Sequence, residues 1–277
     1  MPSSALVRAL ALSCHPLPAV AVTALSAGLA ALAHLPVGRG VLLTATVFTG
    51  QLSIGWSNDY LDAERDRAVG RSDKPVAAGA VTPRMTVSAT VAALILTLTL
   101  SALLGWRGGL ASVLTVLCGW LYNLGLKSTV LSWLPYAIAF GLLPAIATLS
   151  AEPSRWPAVW ALAAGALLGV AAHLANVLPD LGDDMATGVR GLPHRLGARN
   201  TALTTAALLL AASAVILFGP GGQPGLSGWT GFFVATLLAG IAVNTAYRDP
   251  SSRRFFLATI LIGALNLLFF ALSGIRL

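Results

Sequence analysis

The sequence predicts an all-α, polytopic membrane bundle of nine transmembrane helices, and three observations predict it. Charged residues make up 10% of the 277-residue chain, against roughly 25% in an ordinary soluble domain. Hydrophobic residues make up 56%, and the mean hydropathy is +0.81. The apolar residues form long Leu- and Ala-rich runs without period-two alternation, which argues against a transmembrane β-barrel. This composition excludes a soluble enzyme and a disordered protein. The net charge of +7 would suit a nucleic-acid binder, but the basic residues sit in short loops between apolar runs and form no single stripe. That is the membrane pattern, so no nucleic-acid partner is expected.

A helix needs about 20 mostly apolar residues to cross a bilayer. The first expected span, near residues 13–34, ends before Val37-Gly38-Arg39. The second, near 39–57, runs from that break to the polar segment opening at Asn58. Trp106-Arg107-Gly108 separates the third, near 84–105, from the fourth, near 108–125. Glu152-Pro153 separates the fifth, near 129–149, from the sixth, near 156–178. The seventh, near 199–219, runs into Gly219-Pro220-Gly221-Gly222. Arg248-Asp249-Pro250 divides the eighth, near 228–246, from the ninth, near 254–274. The whole chain, residues 1–277, reads as one domain. Cys14 and Cys118 lie far apart inside apolar runs and form neither a disulfide framework nor a metal-ligand spacing.

Arg8, an apolar stretch and then Ala27, Gly28, Ala30 and Ala31 resemble a signal peptide. The apolar run from Pro16 is longer than a typical signal core, so a retained first helix is expected. Threading nine spans puts 13 of the 17 Lys and Arg residues on one side, leaving Arg39, Arg107, Arg155 and Arg276 on the other. The basic excess marks the cytoplasmic face. The N-terminus is therefore expected in the cytoplasm, in the plasma membrane if the source is bacterial.

Eight of the ten acidic residues fall in two places. Asp59, Asp62, Glu64, Asp66 and Asp73 follow the second span, and Asp180, Asp183 and Asp184 follow the sixth. On a helix, Asn58, Asp62 and Asp66 share an arc of about 80°, and so do His173, Asn176, Asp180 and Asp184. Each cluster thus projects a stripe of amide and carboxylate oxygens. Carboxylates four residues apart repel one another, and facing stripes need cations. Hard oxygen donors without His or Cys partners suit Mg²⁺, which keeps waters and is completed by substrate phosphates. The stripes therefore suggest a diphosphate held by metal between two helices. Arg65, Arg67, Arg71 and Lys74, then Lys127, Arg190 and Arg195, lie in the neighbouring loops and suit an anion shared with the metal.

Loop charges usually serve only as solvated topology determinants, and Glu64, Asp73, Arg84, Arg199, Arg253 and Arg254 are read that way. The stripes are read as functional because the spacing recurs while Glu152 and Asp249 are the remaining acids. His173 suits a packed, hydrogen-bonded interior position. Pro179 suits a kink in the sixth helix, and Gly165-x-x-x-Gly169 suits close helix packing. Trp56, Tyr60, Trp120, Tyr122, Trp133 and Tyr136 could stabilise a cation, line a tunnel or form an interfacial belt.

At these residues the chain resembles the UbiA superfamily of intramembrane prenyltransferases. That family carries N-D-x-x-D-x-x-x-D after its second helix and D-x-x-x-D after its sixth. Here they stand as Asn58, Asp59, Asp62 and Asp66, then Asp180 and Asp184. Lys74-Pro75-Val76-Ala77-Ala78-Gly79, Tyr122 through Lys127, and Gly188 through Pro193 are similar to three further family segments. The resemblance implies nine helices around a central cavity capped on the cytoplasmic side. It implies Mg²⁺-dependent ionisation of an isoprenyl diphosphate and prenyl transfer to an acceptor, expected here to be a small aromatic or another lipid-quinone-type precursor. Family acceptors include hydroxybenzoates, naphthoates, homogentisate, chlorophyllides, haem and glycerol ethers.

Carried over by residue, Asn58, Asp62, Asp66, Asp180 and Asp184 would hold metal, with Asp59, Asn176 and Asp183 in the same clusters. Arg67, Arg71, Lys74 and Lys127 would contact the diphosphate, with Tyr122 and Arg190 beside them. Asp62, Asp66, Asp180, Asp184 and Lys127 would carry the reaction. Two departures stand out. Lys74 occupies a position where Arg is common, which keeps charge but loses a bidentate fork, and Asp183 is an extra acid. A terpene cyclase of the same fold would use the same acids without an acceptor. A transporter would place its acids nearer the midplane, often in repeats. The signature of a CDP-alcohol phosphotransferase is missing from the sequence.

Overall fold

In a computed structural model describing residues 3–274, the chain is all-helical. The elements are α1 (Ser3–Ser13), α2 (Pro16–Leu32), α3 (Val37–Ala68), α4 (Pro83–Leu103), α5 (Trp106–Leu124), α6 (Leu134–Leu149), α7 (Val159–Val177), α8 (Leu181–Ala186), α9 (Leu192–Phe218), α10 (Leu226–Arg248) and α11 (Arg254–Leu272). Single 3₁₀ turns cover Leu126–Ser128 and Leu178–Asp180. Among the described residues, α2 to α7 and α9 to α11 each overlap one of the nine expected spans, while the short α1 and α8 are additional. Arg276 lies outside the described residues.

Length and apolarity alone qualify five segments to cross a bilayer, and a sixth if α1 and α2, bent by 68°, count as one. The shortfall has a physical reason. α6 has 16 residues, and α3 carries Gln51, Ser53, Ser57, Asn58 and Asp59 inside its helix. Such polar residues lower hydropathy but are tolerated where a helix faces protein or a cavity.

α3 is the longest element, at 32 residues. At 1.5 Å per residue it extends about 48 Å, beyond a hydrocarbon core of about 30 Å. The first acidic stripe therefore stays helical, and Arg65 and Arg67 in the last turn complement the helix dipole. The second stripe carries the kink expected at Pro179, while Val159–Ala186 still reads as one continuous apolar segment. Pro179 stands in the 3₁₀ turn after α7, and α8 restarts at Leu181, because proline has no N–H to continue the ladder. α9 begins at Leu192, seven residues before the expected span, and kinks at Gly197, whose φ is 73°.

The helices close into a ring: α2 packs on α3, α3 on α4 and α5, α5 on α6, α6 on α7, α7 on α9, α9 on α10, α10 on α11, and α11 back on α2. Small residues permit the close approaches, as membrane packing requires. Gly165 and Gly169 of α7 lie against the backbone of Phe140 and Tyr136 in α6. Gly55 of α3 lies under the Cys14 carbonyl, where a Cβ would collide with backbone. The ring encloses a cavity lined by α2, α3, α5, α6, α7 and α11.

Candidate active site

The cavity measures about 470 Å³ and receives both acidic clusters. From α3 it takes Asn58, Asp62 and Asp66, and from the α7–α8 region Asn176, Asp180 and Asp184. Residues 58, 62 and 66 share one helix face, so one straight helix aims all three. Facing these four carboxylates are Arg65, Arg71, Lys74, Lys127 and Arg253. Such a site favours a multiply charged anion once a divalent cation joins the carboxylates.

Asp62 is the most heavily paired. Its Oδ1 and Oδ2 lie 2.5 Å and 2.6 Å from Lys127 Nζ, and Arg65 also bonds Oδ1. Asn58 Nδ2 donates to Asp62 Oδ2 and to Asn123 Oδ1, both at 3.1 Å. Asn123 is held in turn, donating to Ile54 O at 2.9 Å and Ser57 Oγ at 2.8 Å. Both of these Asn58 bonds use its nitrogen, which spares the amide oxygen. Asp180 is gripped between two loops: Arg71 Nη1 reaches Oδ1 at 2.9 Å, and Arg253 Nη2 reaches Oδ2 at 3.3 Å. Arg71 also holds Asp73 at 2.9 Å and 3.0 Å, and Asp183 at 3.4 Å. Asp184 Oδ2 pairs with His194 Nε2 at 3.2 Å.

Asp66 Oδ2 is buried without a hydrogen-bond partner. Burial raises the Asp66 pKa, opposed by the nearby Lys74 and Arg71. An orphaned buried carboxylate oxygen is costly unless a ligand completes it. Burial, then the neighbouring Arg65, push the Lys127 ammonium down to about 7. Asp73 is held below the ordinary carboxylate value by its bond from Arg71. Among the described residues no three of His, Cys, Asp and Glu converge closely enough to hold a metal by themselves; Lys and Arg stand between the acids. The donor set is nonetheless that of a hard cation, carboxylate and amide oxygens, with Asp66 Oδ2 unpartnered in the cavity.

Several expected site residues lie off the cavity. Asp59, 1% exposed, accepts from the Val76 N–H at 3.3 Å and lies 3.7 Å from Lys74 Nζ. Arg67 donates to the carbonyls of Ala77 and Val76 at 3.2 Å and 3.3 Å, bracing the loop that carries Lys74. Asp183 is exposed at the rim, and Arg190 is exposed beyond it. His173 is buried against Ser132 Oγ at 3.0 Å, and that oxygen accepts from the Leu192 N–H at 3.0 Å. Of the six aromatic residues, Tyr122 and Tyr136 line the cavity, edge to face with centroids 5.2 Å apart. Trp56 and Trp120 spend their N–H groups on Leu10 O and Ser53 Oγ.

Polar lining residues not expected at the site include His15, Gln51, His194 and Arg253. No motif spacing marks them. Arg253, read from the sequence as a solvated loop charge, arrives only because the ring brings the α10–α11 loop beside Asp180. Asp73, read the same way, is tied into this network through Arg71. Deeper in, the wall turns apolar, with Leu25, Val47, Leu143, Leu168, Ile260 and Leu267. The cavity thus offers a charged mouth and a greasy interior, the shape of a ligand with an anionic head and a hydrocarbon tail.

The profile of the UbiA prenyltransferase family matches residues 19–273. The chain belongs to that family. It is therefore an integral, multi-pass membrane enzyme that transfers prenyl groups. The digeranylgeranylglyceryl phosphate synthase of Natronomonas pharaonis is 27% identical over 216 residues, which cover 75% of each chain. Among solved structures, a UbiA homologue from Aeropyrum pernix K1 superposes with a TM-score of 0.73 at 18% identity, covering 92% of this chain and 98% of that one. One from Archaeoglobus fulgidus, bound to GPP and Mg²⁺, gives 0.74 at 15% identity, covering 96% and 99%. At such identities the structural likeness speaks for the UbiA fold.

Proposed function

We propose that this UbiA-family chain is a Mg²⁺-dependent prenyltransferase that ionises an isoprenyl diphosphate and passes the prenyl group to an acceptor. The observation that carries this is the meeting of Asp62 and Asp66 with Asp180 and Asp184 in one cation-rich mouth above an apolar chamber. The Archaeoglobus relative with GPP and Mg²⁺ bound supports the ligand class. Asn58, Asp62, Asp66, Asn176, Asp180 and Asp184 would hold the metal, while Asp59 braces Lys74 and Asp183 stands at the rim. When bound, Mg²⁺ supplies Lewis-acid neutralisation of the leaving diphosphate.

Lys127, Lys74, Arg71 and Arg65 stabilise negative charge as the allylic C–O bond breaks, with Arg67 and Arg190 acting from outside the cavity. The apolar wall seats the prenyl tail and excludes water that would quench a cation. The ring faces of Tyr122 and Tyr136 stabilise positive charge at the reacting carbon. The acceptor then attacks that carbon, and the proton lost from its hydroxyl or ring carbon passes to the departing diphosphate or to water. The Natronomonas relative, named for a glyceryl phosphate product, supports a hydroxyl acceptor of glyceryl type beside the small aromatic one. The gathering of Lys and Arg residues around the mouth supports a cytoplasmic site, and closure of the ring between α2 and α11 supports a single domain.

The test is product analysis with dimethylallyl, geranyl, farnesyl and geranylgeranyl diphosphates in Mg²⁺ or EDTA. Each runs alone, with para-hydroxybenzoate, or with geranylgeranylglyceryl phosphate. Mg²⁺-dependent prenylation of an added acceptor is expected. Cyclic products formed without any acceptor would instead identify a cyclase, and diphosphates left unbound and unreacted in every mixture would contradict the proposal.

A further inference from the structure

His15 joins α1 to α2 with φ 56° and ψ 67°. Left-handed backbone is uncommon for a residue with a side chain, and the following Pro16 favours extended backbone here. His15 is also the N-cap of α2, where Ser, Thr, Asp or Asn would bond a free N–H of the first turn. The imidazole makes no such bond. Its Nε2 stands instead 3.2 Å from Lys74 Nζ, and its side chain lines the cavity.

The corner is held from several sides. Cys14 packs its carbonyl on α3 at Gly55, Trp56 Nε1 donates to Leu10 O at 2.8 Å, and Ala9 packs with Ala63, Val76 and Val81. His34, also at positive φ, 53°, lies at the other end of α2 away from the cavity. Strain that packing enforces beside reactive groups points to function.

An ammonium donates and cannot accept, so the imidazole bonded to Lys74 accepts as a neutral ring. Lys74 thus has the Asp59 carboxylate 3.7 Å away and a neutral acceptor at His15. A second carboxylate in place of His15 would cancel the charge that an anionic ligand needs; a neutral ring orients the ammonium and leaves its charge intact.

We infer that His15 is a positioning residue that holds the Lys74 ammonium at the cavity mouth to receive the diphosphate of the prenyl substrate. The inference rests on the proposed prenyl-diphosphate site. The test uses full-length protein in lipid nanodiscs, with geranyl diphosphate plus Mg²⁺ titrated by calorimetry and thermal unfolding followed in parallel. Glycine adopts φ near 56° without strain, so His15→Gly keeps or raises Tm. Loss of the orienting bond raises its Kd about tenfold. His15→Gln, whose side-chain oxygen can accept, recovers part of the affinity. In a Lys74→Gln background, His15→Gly has no further effect, since the two residues act as one unit. Wild-type affinity in His15→Gly would overturn the inference and leave the proposed function standing. Loss of both Tm and affinity that His15→Gln does not recover would assign His15 to corner packing and overturn it too. Failure of the wild type to bind geranyl diphosphate with Mg²⁺ would overturn the proposed function and this inference with it.

Discussion

In α3 the acids ride an unbroken helix of 32 residues, and Asp62 is paired by Arg65 on its own helix and by Lys127 from the turn after α5. After α7 the acids sit on a kinked backbone, a 3₁₀ turn at Leu178–Asp180 and then the six-residue α8. There Asp180 is paired by Arg71 and Arg253, which arrive on two separate loops. One cluster is fixed by its helix, the other by loops that cross the mouth. The two clusters therefore depend on different things: the first on the register of one helix, the second on loops brought together by the fold.

Removing acids breaks the comparison most severely. Asp62→Ala strips Lys127 and Arg65 of their partner, and turnover is expected to fall on the order of 10²–10³-fold; Asp180→Ala should fall comparably. Steady-state kinetics with circular dichroism on the same samples separates lost chemistry from lost fold. EDTA is expected to abolish turnover in both the wild type and any active variant, with recovery on adding Mg²⁺.

Next is Gly55→Ala on α3. A Cβ there collides with the Cys14 carbonyl, so the α1–α2 corner must shift, at about 1–3 kcal/mol. Thermal unfolding should show a lower Tm, and an unchanged Tm would mean the corner is not locked. A smaller effect is expected from the loops. Arg71→Gln loses bonds to Asp73, Asp180 and Asp183 and should raise the KM for prenyl diphosphate about tenfold. Arg253→Gln loses one 3.3 Å bond and should raise it roughly threefold, consistent with a net value below about 1 kcal/mol for a half-exposed pair. Equal effects would erase the distinction between the two arginines.

The sequence made the helices and acids readable because both depend on local spacing. Apolar runs near 20 residues located the long helices, and a four-residue period placed Asn58, Asp62 and Asp66 on one face. It also placed a kink at Pro179 but could not show that the kink takes the form of a 3₁₀ turn at Leu178–Asp180, since proline both kinks and ends helices. Nor could spacing reveal Arg253 or His15 at the site. Arg253 depends on the ring closing, and His15 depends on a corner set by Gly55, 40 residues away. Asp59 sits inside the first motif yet turns to Val76 and Lys74, because neighbouring helix positions point about 100° apart.

The central claim is that the two clusters grip one metal–diphosphate headgroup together. Calorimetric titration of geranyl diphosphate with Mg²⁺ into the wild type, Asp62→Ala, Asp180→Ala and the double variant tests it most directly. Strong coupling is predicted: each single substitution removes most of the affinity, and the double variant is scarcely worse than either. Independent effects that multiply in the double variant, or full affinity in either single one, would contradict it.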